Sequence, residues 1–228
     1  MVRKLRDRKW REREGAFATE GEDLLSAGIA AGWAPLDVLV APEAGIAGVE
    51  VEPDLLDAAS TLGSGTRVIA VWRIPSEVPE PGRVVYLHGV SDPGNVGTIV
   101  RTAAALTGAR VVLGRGSADP YSPKAVRATM GSLFARPPLR GDLEATPEPR
   151  LALVAGGGGD LDQAIGALEG APTLCLGAER GGLPEEAAAS CDARATIPLQ
   201  PGSESLNVAA AAAIGLQRIS ALRAGGTG

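Results

Sequence analysis

Histidine and cysteine are nearly absent: the 228-residue chain has one histidine, His88, and two cysteines, Cys175 and Cys191. That excludes a His-Glu-x-x-His zinc site, a Cys/His finger and a multi-disulfide scaffold, and with them metal chemistry through imidazole or thiolate. Aromatic residues are equally scarce at 3%, so a core must be assembled from Ala, Val, Leu and Ile. No apolar run reaches the roughly 20 residues that span a bilayer. The most apolar stretch, Val208–Leu216, falls far short, and the opening MVRKLRDRKWRERE lacks the apolar segment of a signal peptide. The expectation is a cytoplasmic protein with both thiols reduced. The GxxxxGK[ST] phosphate loop and the GxSxG elbow are missing too, which argues against NTPase and serine-hydrolase chemistry.

What is present is a chain with 45% hydrophobic residues, enough to bury a core, punctuated by 31 glycines and 17 prolines. Charge is unevenly spread. Residues 1–13 carry Arg3, Lys4, Arg6, Arg8, Lys9, Arg11 and Arg13 against only Asp7 and Glu12, although the whole chain has a net charge of −5. A basic N-terminal arm on an acidic body can neutralise phosphates, and a bias of 19 Arg to 3 Lys suits bidentate phosphate contacts. A solvated terminal helix fits the same charges.

Three prolines and a glycine at 76–82 with their flanks separate two apolar-patterned regions, which places a linker at 76–82 between units at 1–75 and 83–228. In the first unit, Asp23–Ala31 and Pro53–Ala59 read as helices and Leu36–Val40 and Arg67–Trp72 as strands, a small α/β module. In the second, buried-type strands at Val84–Leu87, Arg110–Leu113, Leu151–Ala155, Thr173–Leu176 and Ala195–Pro198 alternate with helical patterns at Val96–Leu106, Lys124–Ser132, Leu161–Leu168, Pro184–Ala189 and Leu206–Arg223. This alternation predicts an α/β fold with a largely parallel sheet covered on both faces, its function in loops beyond the carboxyl ends of strands.

Three such loops stand out. His88–Arg101 leaves a strand and enters a helix for which Asn95 is a suitable N-cap; Arg101 then lies on the polar face, where it can hold a phosphate or simply be a surface arginine. Leu176–Glu185 is glycine-rich through Gly177, Gly181 and Gly182; its Glu179 can bind a ligand amine, fix the loop or be solvated. Ile197–Val208 leads into the final Ala-rich helix, which Ser203 or Ser205 can cap. A fourth stretch, Gly114–Asp119, imitates the start of a dinucleotide loop but lacks the third glycine.

In order and spacing, Asp92–Thr102, Leu176–Leu183 and Ile197–Val208 resemble the three motifs of the SpoU (TrmH-type) branch of the SPOUT RNA methyltransferases, a likeness covering about residues 84–222. Residues 9–22 are similar to the opening of the small substrate-binding domain that precedes the catalytic domain in ribosomal-RNA members. The resemblance implies a trefoil knot, bound S-adenosylmethionine, and an active site formed across a homodimer. By motif position, Gly177, Glu179, Ile197 and Leu206 would serve the cofactor and Asn95, Arg101, Ser205 and Asn207 the reaction. The implied activity is 2′-O-ribose methylation of RNA, ribosomal RNA ahead of tRNA, with a non-catalytic RNA-binding homologue as the alternative of another class. Arg180 departs from the family pattern, in which many members have glycine there.

Overall fold

The computed structural model of the protein describes residues 1–75 and 82–224, so all but Gly82 of the expected linker lies outside the described residues. Two sheets organise them. The first consists of β1 (Ala16–Glu20), β2 (Asp37–Val40), β3 (Val49–Glu50) and β4 (Val68–Arg73) in the order β1-β4-β2-β3. β4 pairs antiparallel with both β1 and β2, while β2 and β3 are parallel. Around it lie α1 (Arg8–Glu14), α2 (Glu22–Ala30) and α3 (Pro53–Ala59). Sequence patterning assigns no strand to 16–20, because the Ala-Phe-Ala-Thr-Glu stretch has too little apolar contrast to read alone. Its Thr19 takes its place by accepting a hydrogen bond from the buried Trp72 indole at 2.9 Å.

The second sheet contains β5 (Val84–Leu87), β6 (Arg110–Leu113), β7 (Leu139–Arg140), β8 (Arg150–Leu153), β9 (Gly159–Asp160), β10 (Thr173–Leu176) and β11 (Ala193–Thr196). The order is β7-β6-β5-β10-β8-β11-β9, and every pairing is parallel. Its central strands are near-continuous apolar runs because both faces are buried. On one face Val85, Leu87, Val111, Leu113, Leu151, Leu153, Leu174 and Leu176 meet α4 (Pro93–Thr107), α7 (Leu161–Ala167) and α9 (Val208–Ala224). The other face, with Tyr86, Ala152 and Cys175, has a lighter cover: Leu143, Leu183 and α8 (Glu185–Ala189). Between β6 and β7 the expected single helix is two, α5 (Pro123–Thr129) and α6 (Ser132–Ala135), because Met130 and Gly131 both take positive φ.

Two expected caps shift. Asp92, not Asn95, caps α4: its Oδ1 accepts from the amides of Gly94 at 2.6 Å and Asn95 at 3.1 Å, with Pro93 in the first turn. Asn207, rather than either serine, caps α9 by accepting from Ala209 N at 2.9 Å and Ala210 N at 3.3 Å. Each change frees or recruits a side chain at the site described below.

The sheets share one core. Phe17 of β1 lies 4.9 Å from the Tyr121 ring, and Phe134 of α6 stands against Trp33 at 5.1 Å and Trp72 at 4.7 Å. Phe17 and Trp72 are completely buried, and side chains of this size each remove about 150–250 Å² from water.

The basic N-terminus is not a free arm. A short 3₁₀ turn, Val2–Arg6, buries Leu5, and α1 buries Arg11 at 3% exposure. The Arg11 guanidinium donates to Asp119 Oδ2 at 2.6 and 2.8 Å and to the carbonyls of Leu5 and Arg6 at 2.7 Å. The stretch that imitated a dinucleotide loop is thus a docking point for the chain's first helix. Arg3, Lys4, Lys9 and Arg13 stay exposed, and Lys4 and Arg13 flank the Trp10 ring at 4.4 and 5.0 Å. Removing one partner of a buried ion pair costs about 3 kcal/mol, so Arg11→Ala is expected to lower the denaturant midpoint accordingly. A midpoint unchanged from wild type would show the pair to be dispensable.

Candidate active site

The three loops singled out in the sequence meet at the carboxyl ends of β5, β10 and β11, where parallel α/β sheets commonly bind ligands. β10 ends at Leu176 and the chain turns back at once: Ala178 and Gly182 form an isolated antiparallel bridge, with Ala178 N to Gly182 O at 3.0 Å and Gly182 N to Ala178 O at 2.9 Å. The turn is so tight that a Cβ on Gly177 would lie 1.9 Å from Gly182 C and Leu183 N. Glycine is the only residue that fits.

Glu179, inside this turn, ties it to the first loop. Its carboxylate accepts from Asn95 Nδ2 at 3.0 Å, Ser91 N at 3.2 Å, Asp92 N at 3.3 Å and Ser91 Oγ at 3.4 Å. Asn95 Oδ1 in turn accepts from Asn207 Nδ2 at 3.1 Å, and Asn207 begins α9. One chain of hydrogen bonds, Glu179–Asn95–Asn207, therefore joins all three loops. Because Asp92 does the capping, the Asn95 side chain is free to sit at its centre.

Partial burial pushes the Glu179 carboxyl upward, but the bonds from Asn95 and the backbone outweigh it and hold it below the usual glutamate range. Asp92 is also held down, first by Lys124 at 2.7 Å and then by the amides it caps. For a carboxyl lowered on folding, the stabilising contribution is complete above its ordinary pKa and is lost as pH falls through the lowered value. The stability difference between wild type and Glu179→Gln should therefore hold constant from neutral pH down to about 4.3 and shrink only below it. A difference already shrinking at pH 6 would contradict the anchoring role.

Two adjoining cavities open here. The first, about 310 Å³, is lined by Leu153, Leu176, Gly177, Ile197, Leu206 and Val208, with Glu179, Glu204 and Ser205 among its polar groups. The second, about 600 Å³, is lined by Ser91, Asp92, Asn95 and Asn207. Ala178, Glu179 and Arg180 belong to both. Of the residues expected at a site, Gly177, Glu179, Ile197, Leu206 and Ser205 line the first cavity, and Asn95 and Asn207 the second. Arg101 lines neither: it is exposed, without a hydrogen bond or ion pair to a described residue, about 9 Å along α4 from Asn95. Residues 153–155, at the end of β8 and just beyond it, also line the first cavity and carry no motif. Their only signal is position at the carboxyl end of a central strand.

The family model described as the SpoU rRNA Methylase family matches residues 82–217. The chain belongs to the SpoU rRNA methylase family. Among relatives of this SpoU protein, Bacillus subtilis RlmP, a 23S rRNA (guanosine(2553)-2′-O)-methyltransferase, is 31% identical, covering 93% of this chain and 91% of that one. An uncharacterized tRNA/rRNA methyltransferase of Mycobacterium tuberculosis is 38% identical over 156 residues, and the match spans 54% of its length. The SpoU methyltransferase AviRb from Streptomyces viridochromogenes, solved with AdoMet, superposes with a TM-score of 0.86 at 26% identity, covering 99% of this chain and 97% of that one. The likeness to AviRb thus extends over both sheets, whereas the family model covers the seven-stranded one.

Proposed function

We propose that this SpoU protein transfers a methyl group from S-adenosylmethionine to a ribose 2′-hydroxyl of 23S ribosomal RNA, acting in the cytoplasm as a homodimer. The observation that carries this reading is the junction of the two cavities at Glu179, Asn95 and Asn207. In this reading residues 1–75 hold RNA, 83–228 carry the chemistry, and the trefoil knot of the family resemblance lies in the latter. Support for 23S RNA comes from the named activity of RlmP, which the chain matches over nearly its whole length. The relatives matched over more than nine-tenths of the chain favour ribosomal RNA over the tRNA alternative, and the complete side-chain network argues against a non-catalytic homologue.

The first cavity suits the cofactor: aliphatic walls for an adenosine, a Gly177 backbone with no side chain in the way, and the carboxylates of Glu179 and Glu204 beside a positively charged ligand. Bound there, S-adenosylmethionine supplies an electrophilic methyl group on a sulfonium. Ser205 and Leu206 close one wall. Asn95 and Asn207 present amide groups on the RNA side and orient the ribose, which must bring its oxygen in line with the methyl carbon. Glu179 already accepts four hydrogen bonds and is a loop anchor rather than a base.

Arg101 cannot act as a base either, because guanidinium pKa values exceed about 12; its role is to clamp an RNA phosphate. Its exposed position, outside both cavities of its own chain, is consistent with service to the site of a second copy. Exposed apolar side chains on the same helices, Leu106 of α4 and Ile214 and Leu222 of α9, are consistent with such pairing.

The test is transfer of labelled methyl from S-adenosylmethionine to unmodified 23S rRNA and, separately, to unmodified tRNA. Label in 23S rRNA at a site that resists alkaline cleavage is the expected result. Label confined to tRNA, or to a base, would overturn the reading.

A further inference from the structure

We propose that Arg180 binds the RNA phosphate next to the methylated ribose, and so sets how tightly this enzyme holds its substrate strand. The inference rests on the function proposed above. Arg180 is the cationic side chain that borders both cavities, and neither cavity has another among the described residues that line it. It is exposed, with no hydrogen bond or ion pair to a described residue.

Its backbone, by contrast, is held. The turn is closed by the Ala178–Gly182 bridge on either side, and the preceding residue is fixed by the four bonds to Glu179. A fixed base with a free head is what a ligand-binding arginine needs, because little ordering remains to be done when the ligand arrives.

Electrostatics says which ligand. The second cavity is bordered by two carboxylates, Asp92 and Glu179, both held in the ionised form. Lys124 neutralises Asp92, whereas Glu179 receives only neutral donors. An RNA strand brings a negative charge with every nucleotide, so it enters this cavity against Glu179 unless a cation offsets that charge. Arg180, the next residue, is placed to do so and can grip a phosphate through two N–H groups. The cofactor, by contrast, has net positive charge through its sulfonium and is already matched by Glu179 and Glu204 in the first cavity.

Steady-state methyl transfer to unmodified 23S rRNA, over a range of RNA and KCl concentrations, tests this with Arg180→Ala and Arg180→Lys. For Arg180→Ala the KM for RNA should rise about tenfold, the scale of one charge-assisted hydrogen bond, with kcat at saturating RNA largely kept. The slope of log affinity against log salt should become shallower by about 0.7, the share of one phosphate contact on a single strand. Arg180→Lys should restore the slope but only part of the KM. Equilibrium dialysis with labelled S-adenosylmethionine should give an unchanged Kd. An unaltered KM and salt slope would overturn the proposal, as would a weakened cofactor Kd with RNA KM intact, which would make Arg180 a cofactor ligand. A wild-type protein that neither binds nor methylates ribosomal RNA would overturn the function itself, an outcome visible before any variant is compared.

Discussion

Gly177→Ala is expected to weaken S-adenosylmethionine binding at least 100-fold while leaving most of the fold intact. The added Cβ would lie 1.9 Å from two backbone atoms and 2.1 Å from Gly182 O, less than any real contact, and none of these is a side-chain tip that could swing aside. The Ala178–Gly182 bridge must therefore open, moving Glu179 and the shared wall of both cavities. Local strain of this kind costs about 1–3 kcal/mol, and overpacking adds a similar amount. The sheet below stays in place because Leu174, Cys175 and Leu176 keep their parallel pairing with β5. Calorimetric titration would show at least a 100-fold loss of affinity, about 2.7 kcal/mol, with a circular dichroism spectrum close to wild type. Retained nanomolar-to-micromolar binding would mean that the bent-back turn plays no part in holding the cofactor.

Arg101→Ala should leave cofactor affinity unchanged and cut methyl transfer about 100-fold, the typical cost of misplacing a reactant. Arg101→Lys should recover little, because an ammonium cannot grip a phosphate through two parallel bonds. Since Arg101 lines neither cavity of its own chain, co-expressing Arg101→Ala with Gly177→Ala chains gives the sharper result. If the chain pairs as proposed, random pairing yields one mixed dimer in two, and in each mixed dimer one site would combine an intact pocket with an intact arginine, so activity should recover to about a quarter of wild type. If no activity returns, arginine and pocket work within one chain.

The parallel sheet could be read in the sequence because its strands are apolar on both faces, a pattern that needs no partner information: Val84–Leu87, Arg110–Leu113 and Thr173–Leu176 have the same bounds in sequence and structure. The site was half legible. Its loops declare themselves through glycine, proline and position after strands, but the way they join does not. Asp92 and Asn95 are equally good caps by residue type, and only Pro93 in the first turn distinguishes them. Asn207, directly before the apolar start of α9, competes as a cap with two serines of equally suitable type, and only the structure separates them. The Glu179–Asn95 and Asn207–Asn95 bonds link residues 84 and 112 positions apart, which no local pattern reports. Residues 1–13 read as a free arm for the same reason: Arg11 is one more surface base by sequence, and its partner lies 108 residues away.

The chain spends its few aromatic residues in one place. Both phenylalanines, two of the three tryptophans and one of the two tyrosines lie where the four-stranded and seven-stranded sheets meet. Neither sheet then owns a complete interior, and the two are expected to melt as a single cooperative unit instead of as beads on a string, with coincident transitions by different probes. Grafting another front half onto residues 83–228 would strand Tyr121 and Phe134 in water unless the newcomer brought rings to meet them. The boundary that the sequence suggests near residue 75 would then be a joint in the polypeptide but not in the thermodynamics.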